Sequence, residues 1–128
     1  MTPQPTTELS PTLTAKINEI LAREDGFKNI VKWEVGSPSG LVGYPKGDDR
    51  LLGVPNYTLD SSRHLIVALV GRLSAKEFDH FRGELEISDG VGQFDLGSDE
   101  EFRAMFLAPV LTLIKCYFAA KGLKWPEE

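Results

Sequence analysis

Apolar residues recur at helical spacing close to the N-terminus. Over Pro11 to Arg23 they would form one face of an amphipathic helix, at Leu13, Ile17, Ile20 and Leu21. Ser10 can cap this helix, and Gly26 lies just past its end. Through the segment 30–35, apolar residues alternate with charged ones. That alternation predicts a strand with one buried face, which carries Val31, Trp33 and Val35.

The segment 36–55 is the least regular part of the chain. It holds five glycines and three prolines, which favours a flexible connector. Short extended pieces around Leu41–Tyr44 and Leu51–Val54 are expected to add strands to a sheet. The glycine-rich part is not a phosphate-binding loop, because Lys46 precedes Gly47 and two acidic residues rather than a serine or threonine that opens a helix.

A polar turn precedes a long apolar stretch. Pro55 and Asn56 favour the turn, and Thr58 or Asp60 can accept hydrogen bonds from the first free amides of a following helix. The apolar residues after it form a broad helical stripe, made of Leu65, Ile66, Leu69, Val70 and Leu73. Over 65–70, periodicity alone does not separate a helix from a buried strand, and the capping residues favour the helix.

A capping box and a hairpin signal come next. Ser74 and Glu77 have the spacing of a capping box, which predicts a short helix to about Arg82. The segment 84–96 has an Asp-Gly pair in its middle, typical of a type I′ turn. A two-residue turn there places the apolar residues of both arms on one face, at Leu85, Ile87, Phe94 and Leu96. The segment is therefore predicted to be a β-hairpin.

The last long apolar stretch ends at Gly122, a natural helix stop. Ser98 and Glu101 form another capping box for it. Pro109 removes a helical hydrogen bond, so we expect a kink there. Because Met105–Ala120 is apolar nearly all round, it is predicted to be either the central buried helix or half of a subunit interface.

Together these elements predict an α+β fold. A small antiparallel sheet, made of the hairpin 84–96 and the strand 30–35, would pack with three to four helices in α-β-α layers. A chain of 128 residues is long enough for one domain with its own core. We expect a disordered tail over residues 1–9 and a single domain over residues 10–128.

Composition narrows the classes of partner. The formal net charge of −5 argues against a nucleic-acid partner, which usually meets a basic face. Between Glu84 and Glu101 the chain carries seven acidic and no basic residues, which suits a solvated face or a basic partner. No apolar stretch is suited to a membrane, and the N-terminus lacks a signal-peptide pattern. With Cys116 as the sole cysteine, no intrachain disulfide exists and the cytoplasm is expected.

Three stretches carry a resemblance to a known family. "VPNYTLDSSRHLIVALV" at 54–70, the predicted hairpin, and "APVLTLIKCYFAAKG" at 108–122 resemble the phage ABA-sandwich domain family. Its members tend to begin a helix with Pro-Asx-Tyr-Ser/Thr-x-Asp and to finish on an alanine-rich helix. The resemblance implies α-β-α layers and a phage or prophage origin, and it implies no reaction. The turn formed by Pro55, Asn56, Thr58 and Asp60 would then be structural.

The two histidines are the strongest candidates for ligand binding. Acidic residues flank His80 at helical spacing, but a second Glu-x-x-His is missing, which a di-metal bundle site needs, so no metal site is predicted. His64 or His80 can instead be an axial haem ligand, with Tyr57 and Trp33 as pocket walls. Cys116 lies among apolar residues, where a thiol stays protonated and unreactive. No catalytic residue is predicted.

These features favour a non-enzymatic accessory protein of phage or prophage type that acts through protein–protein contacts. Its partner would be itself, as a dimer through the apolar last helix, or another protein. The alternative is a small-ligand binding protein, for example for haem, that uses His64 or His80. A third hypothesis is an acidic chaperone or inhibitor that uses the segment 84–101 to bind its partner.

Overall fold

The computed structural model describes residues 10–33, 37–88 and 108–127, with only the helical backbone for 86–88. The chain divides into two compact units. The first comprises Met1–Thr58 with Pro126–Glu128, and the second comprises Leu59–Trp125. The tail predicted over residues 1–9 lies outside the described residues, and the single domain expected over 10–128 stays a prediction.

Helix α1 (Pro11–Glu24) opens the first unit, as its apolar spacing predicts. The Ser10 hydroxyl accepts a hydrogen bond from the Leu13 amide at 3.1 Å, which confirms the predicted cap. One face of the helix is fully buried, at Ile17, Leu21 and Ala22. The chain leaves the helix through Gly26, whose φ of 107° is one that residues with a side chain rarely adopt.

A three-stranded antiparallel sheet completes the first unit, in the order β1–β2–β3. Strand β1 spans Lys28–Lys32, β2 spans Leu41–Tyr44 and β3 spans Leu52–Gly53. The strands expected near 41–44 and 51–54 are therefore confirmed. The strand predicted over 30–35 is present over its first three residues, and residues 34–36 lie outside the described part of the chain.

The described part of the second unit is helical. A short 3-10 turn (Asp60–Ser62) leads into helix α2 (Arg63–Val70), so the stretch 65–70 is helix and not strand. Neither Thr58 nor Asp60 occupies the position directly before α2, so the observed start of the helix differs from the predicted one. The extra turn makes Ser62 the residue that precedes the helix, and it supplies no side-chain cap.

Helix α3 spans Ala75–Ser88, so the first arm of the hairpin predicted over 84–96 is wrong. Residues 84–88 continue the helix instead of forming a first strand, and residues 89–96 lie outside the described part of the chain. The physical reason is that Leu85 follows Phe81 by four residues, so both are buried on one helical face. The mixed α+β class is confirmed, with a sheet built from 28–53 rather than from the hairpin.

Helix α4 (Val110–Lys121) begins directly after Pro109. The predicted kink is wrong, because Pro109 has an extended ψ of 142° and precedes the helix instead of interrupting it. Gly122 ends the helix with a φ of 70°, as predicted, and the Leu123 amide donates to the Phe118 carbonyl at 2.8 Å. Seven of the helix's residues are buried, namely Val110, Leu113, Ile114, Cys116, Tyr117, Phe118 and Ala120. The predicted burial of this helix is thus confirmed for these residues, and the subunit interface stays a prediction. The Ser98–Glu101 capping box lies outside the described residues.

The predicted capping box of α3 is present. The Ser74 amide donates to Glu77 Oε1 at 3.0 Å, and the Glu77 amide donates to Ser74 Oγ at 3.1 Å. The hydrogen bond from the Ser74 amide holds the pKa of Glu77 below its ordinary value of 4.5. The Lys121 ammonium, 3.8 Å from the carboxylate, acts in the same direction.

Replacing Glu77 with glutamine should flatten the pH dependence of stability. Because the folded state lowers the pKa of Glu77, the carboxylate stabilises the fold above the unfolded value, and this contribution is lost as the pH falls through the folded value. The stability of the native protein relative to Glu77→Gln, measured by urea unfolding, should therefore shrink as the pH falls below 4.5. A difference that stays constant from neutral to strongly acidic pH would contradict the expectation.

Candidate functional site

The polar turn after β3 is hydrogen-bonded to α1. The Oδ1 atom of Asn18, a fully buried side chain, accepts from the Tyr57 amide at 2.7 Å, and its Nδ2 atom donates to Asn56 Oδ1 at 3.0 Å. Asn56 Oδ1 also accepts from the Thr58 amide at 3.1 Å and the Thr58 hydroxyl at 2.6 Å. The Tyr57 hydroxyl donates to Asp25 Oδ2 at 2.9 Å. The polar groups of the turn therefore serve to attach it to the first unit.

The aromatic residues proposed as walls of a ligand pocket have different environments. Tyr57 is fully buried, and its hydroxyl already has a partner. Trp33 follows β1 and is 53% exposed. Both belong to the first unit, whereas His64 and His80 belong to the second.

Both histidines are exposed on helices. His64 lies in the first turn of α2, and His80 lies on α3 with its Nε2 atom 3.5 Å from Glu84 Oε2. A haem ligand is normally enclosed by apolar side chains. The haem hypothesis stays a prediction, and a haem titration followed at the Soret band tests it. Among the described residues, no three histidine, cysteine or acidic side chains are grouped closely enough to hold a metal ion.

Most of the exposed large apolar side chains in the described part of the chain lie on or beside the sheet. In the described part of the chain, the large apolar side chains that are exposed are Val31, Trp33, Leu51, Leu52 and Leu59. The first four lie on or beside the edge strands β1 and β3. Val31 and Trp33 are the most exposed of the five, at 52% and 53%.

Strand register places Val31 and Trp33 on the same face. Val31 pairs with Val42, which pairs with Gly53, so these three positions form one cross-strand row. Because side chains alternate between faces, Trp33 shares the face of Val31, and Lys32 lies on the opposite face. The expectation that the side chains of Val31 and Trp33 are buried is wrong, although Val42 on the same face is only 6% exposed. Alternation identifies a shared face and leaves open whether other residues cover it.

Strand β1 also has an open backbone edge. The Trp33 amide donates inward to the Gly40 carbonyl at 2.8 Å. Because successive residues direct their backbone groups to opposite edges, the N–H and C=O groups of Ile30 and Lys32 point away from β2. No described residue pairs with that side of β1. We call these backbone groups, together with the side chains of Val31 and Trp33, the β1 edge.

The segment that carries the β1 edge is locally basic, although the chain as a whole is acidic. Residues 28–33 include Lys28 and Lys32, both exposed, and no acidic residue. Elsewhere in the sheet region, the Arg50 guanidinium lies 3.0 Å from the Asp48 carboxylate, and this pair lowers the pKa of Asp48. Lys28 and Lys32 are the charged side chains of β1 itself, and Glu34 follows in the sequence.

Sequence reasoning did not identify two features of the first unit. The role of Asn18 depends on Asn56 and Tyr57, nearly forty positions away, and no local pattern signals it. The outward-facing backbone of Lys32 could have been inferred from the alternation in 30–35, had the neighbouring strand been known.

No helix in the described part of the chain combines the length and apolarity that are needed to span a bilayer. Comparison of the chain with known protein families, curated proteins and solved structures gives no match. The function is therefore argued from the β1 edge itself.

Proposed function

We propose that this is a non-enzymatic accessory protein that acts through protein–protein contacts, and that the β1 edge is its contact surface. The observation that carries the proposal is the pair Val31 and Trp33, both more than half exposed, on an edge strand. An edge strand presents unpaired N–H and C=O groups that can pair with another chain. Exposed apolar side chains next to such groups are typical of an interaction site.

The cellular setting is part of the same proposal. The stretches 54–70 and 108–122 resemble the phage ABA-sandwich domain family, which supports a phage or prophage origin. With Cys116 as the sole cysteine, nothing in the sequence calls for an oxidising compartment, so the cytoplasm is the proposed location.

The partner is either a second copy of this chain or another protein. The sequence predicts a dimer that forms through the apolar surface of α4, but most of that helix is buried within the chain. The β1 edge is therefore the proposed contact surface in both cases, whether the partner is a second copy or another protein.

Site-specific photo-crosslinking tests the contact surface. A benzophenone amino acid replaces Val31 in cells of the source organism, and the matched control carries it at Lys76, which is exposed on α3. We expect a discrete crosslinked product from position 31 and none from position 76, because only the first position lies on the β1 edge.

Light scattering on the purified protein separates the two kinds of partner. A dimer mass with a self-crosslink identifies a second copy, and a monomer mass with a crosslink to a different chain identifies another protein. Absence of any crosslinked product from position 31 would contradict the proposed function.

A further inference from the structure

We infer that the partner at the β1 edge is an extended acidic segment of another protein, which joins the sheet as a fourth strand beside β1. This inference rests on the proposed function and specifies the chemistry of the partner.

The backbone of β1 is suited to strand addition. The outward N–H and C=O groups of Ile30 and Lys32 can each bond to an added strand, as in other complexes in which a peptide extends a sheet. The usable edge is short. Asn29 has a φ of 54° and lies where the register with β2 shifts, so regular pairing is confined to about four residues, 30–33.

The side chains of β1 specify an alternating partner. Val31 and Trp33 lie on one face of the strand, and Lys32 lies on the other. Cross-strand neighbours on one face interact directly. An apolar residue of the added strand opposite Val31 or Trp33 would therefore stabilise the complex most, and so would an acidic residue opposite Lys32. Lys28, at the start of the strand, adds a second positive charge. The expected segment therefore alternates apolar and acidic residues.

A second copy fits the same edge poorly. A symmetric antiparallel pairing of two β1 strands has its centre at Ile30, Val31 or Lys32. In each case Lys32 lies directly or diagonally opposite a lysine of the other copy, either Lys28 or Lys32. Like charges in these positions are destabilising, so charge complementarity favours an acidic segment.

A synthetic peptide tests the inference directly. The probe is acetyl-STVEVETS-amide, titrated into the Trp125→Phe variant, in which Trp33 is the sole tryptophan. We expect a saturable blue shift of Trp33 fluorescence, because the added strand shields the indole from water. Two control peptides should give no shift: acetyl-STVKVKTS-amide, which reverses the charge, and acetyl-STVEPETS-amide, whose proline interrupts strand pairing.

Variants of Lys32 separate charge from backbone pairing. Lys32→Glu should weaken peptide binding about fivefold or more, because an attractive cross-strand pair becomes repulsive. Lys76→Glu changes the net charge equally, lies outside the sheet, and should leave the affinity unchanged. Lys32→Pro removes the outward amide and leaves the hydrogen bonds to β2 in place. It should therefore weaken peptide binding more than Lys32→Ala does. Circular dichroism melting verifies that each variant is folded.

The possible results distinguish this inference from the proposed function. Equal binding of the acidic and basic peptides, or an unchanged affinity in Lys32→Glu, would overturn the acidic partner. If the acidic peptide does not bind while position 31 still crosslinks to another chain, the inference fails and the proposed function stands. A dimer in solution that Trp33→Asp dissociates would make a second copy the occupant and also overturn the inference.

Discussion

Replacing Phe81 with alanine should lower the free energy of unfolding by about 4 kcal/mol. Phe81 is 1% exposed and lies on α3, which packs against α4 in the second unit. Removing its ring takes away apolar burial and leaves a cavity that the surrounding helices fill only in part. Urea unfolding followed by far-UV circular dichroism measures the loss.

Phe78 provides the matched control for this substitution. Its ring stacks on that of Phe81 with centroids 6.1 Å apart, but it is only partly buried. Phe78→Ala should therefore lower the free energy of unfolding by about 1–2 kcal/mol, because the Phe78 ring buries a smaller apolar area. Equal losses for the two variants would contradict the assignment of Phe81 to the core.

Replacing Asn18 with leucine should lower the free energy of unfolding by about 3 kcal/mol. Leucine has a similar volume but no polar atoms. The substitution leaves the buried amide of Tyr57 without its acceptor and removes the donor to Asn56. A buried amide that loses an acceptor bears a desolvation cost, which exceeds the net value of a typical hydrogen bond.

Thr12→Ala is the control for Asn18, because Thr12 is exposed on the same helix. This substitution should change the free energy of unfolding by no more than about 0.5 kcal/mol. If Asn18→Leu proved as mild as this control, the hydrogen bonds of Asn18 would not be what attaches the turn to α1.

The two substitutions together also test how the units unfold. Asn18 belongs to the first unit and Phe81 to the second. If the chain is one cooperative domain, both variants shift the same single transition. If each variant shifts a different transition, the expected single domain over 10–128 is wrong and the units unfold separately.

Elements with their own local stop and start signals were predictable. The Ser10 cap, the Ser74–Glu77 capping box and the Gly122 stop lie within a few residues of the backbone groups that they satisfy. Their energies do not depend on the rest of the fold, so sequence reasoning located these three helix ends correctly.

The segment 84–88 was mispredicted because its pattern fits two structures. Leu85 and Ile87 alternate as in a strand, and Leu85 also follows Phe81 at helical spacing. Packing of α3 against α4 buries Leu85 on the helical face. Local periodicity does not contain that contact, so it cannot choose between the two structures.

The sequence by itself determined the α+β class, most helix and strand positions in 10–70, and the shared face of Val31 and Trp33. Only the tertiary structure decided that these two side chains are exposed and that Asn18 is buried against the turn. The physical reason is that periodicity reports which side chains lie together, whereas burial depends on residues far away along the chain. Local patterns therefore did not predict the candidate site, because a strand edge is defined by which other strands pair with it, and here β2 is the described strand that pairs with β1.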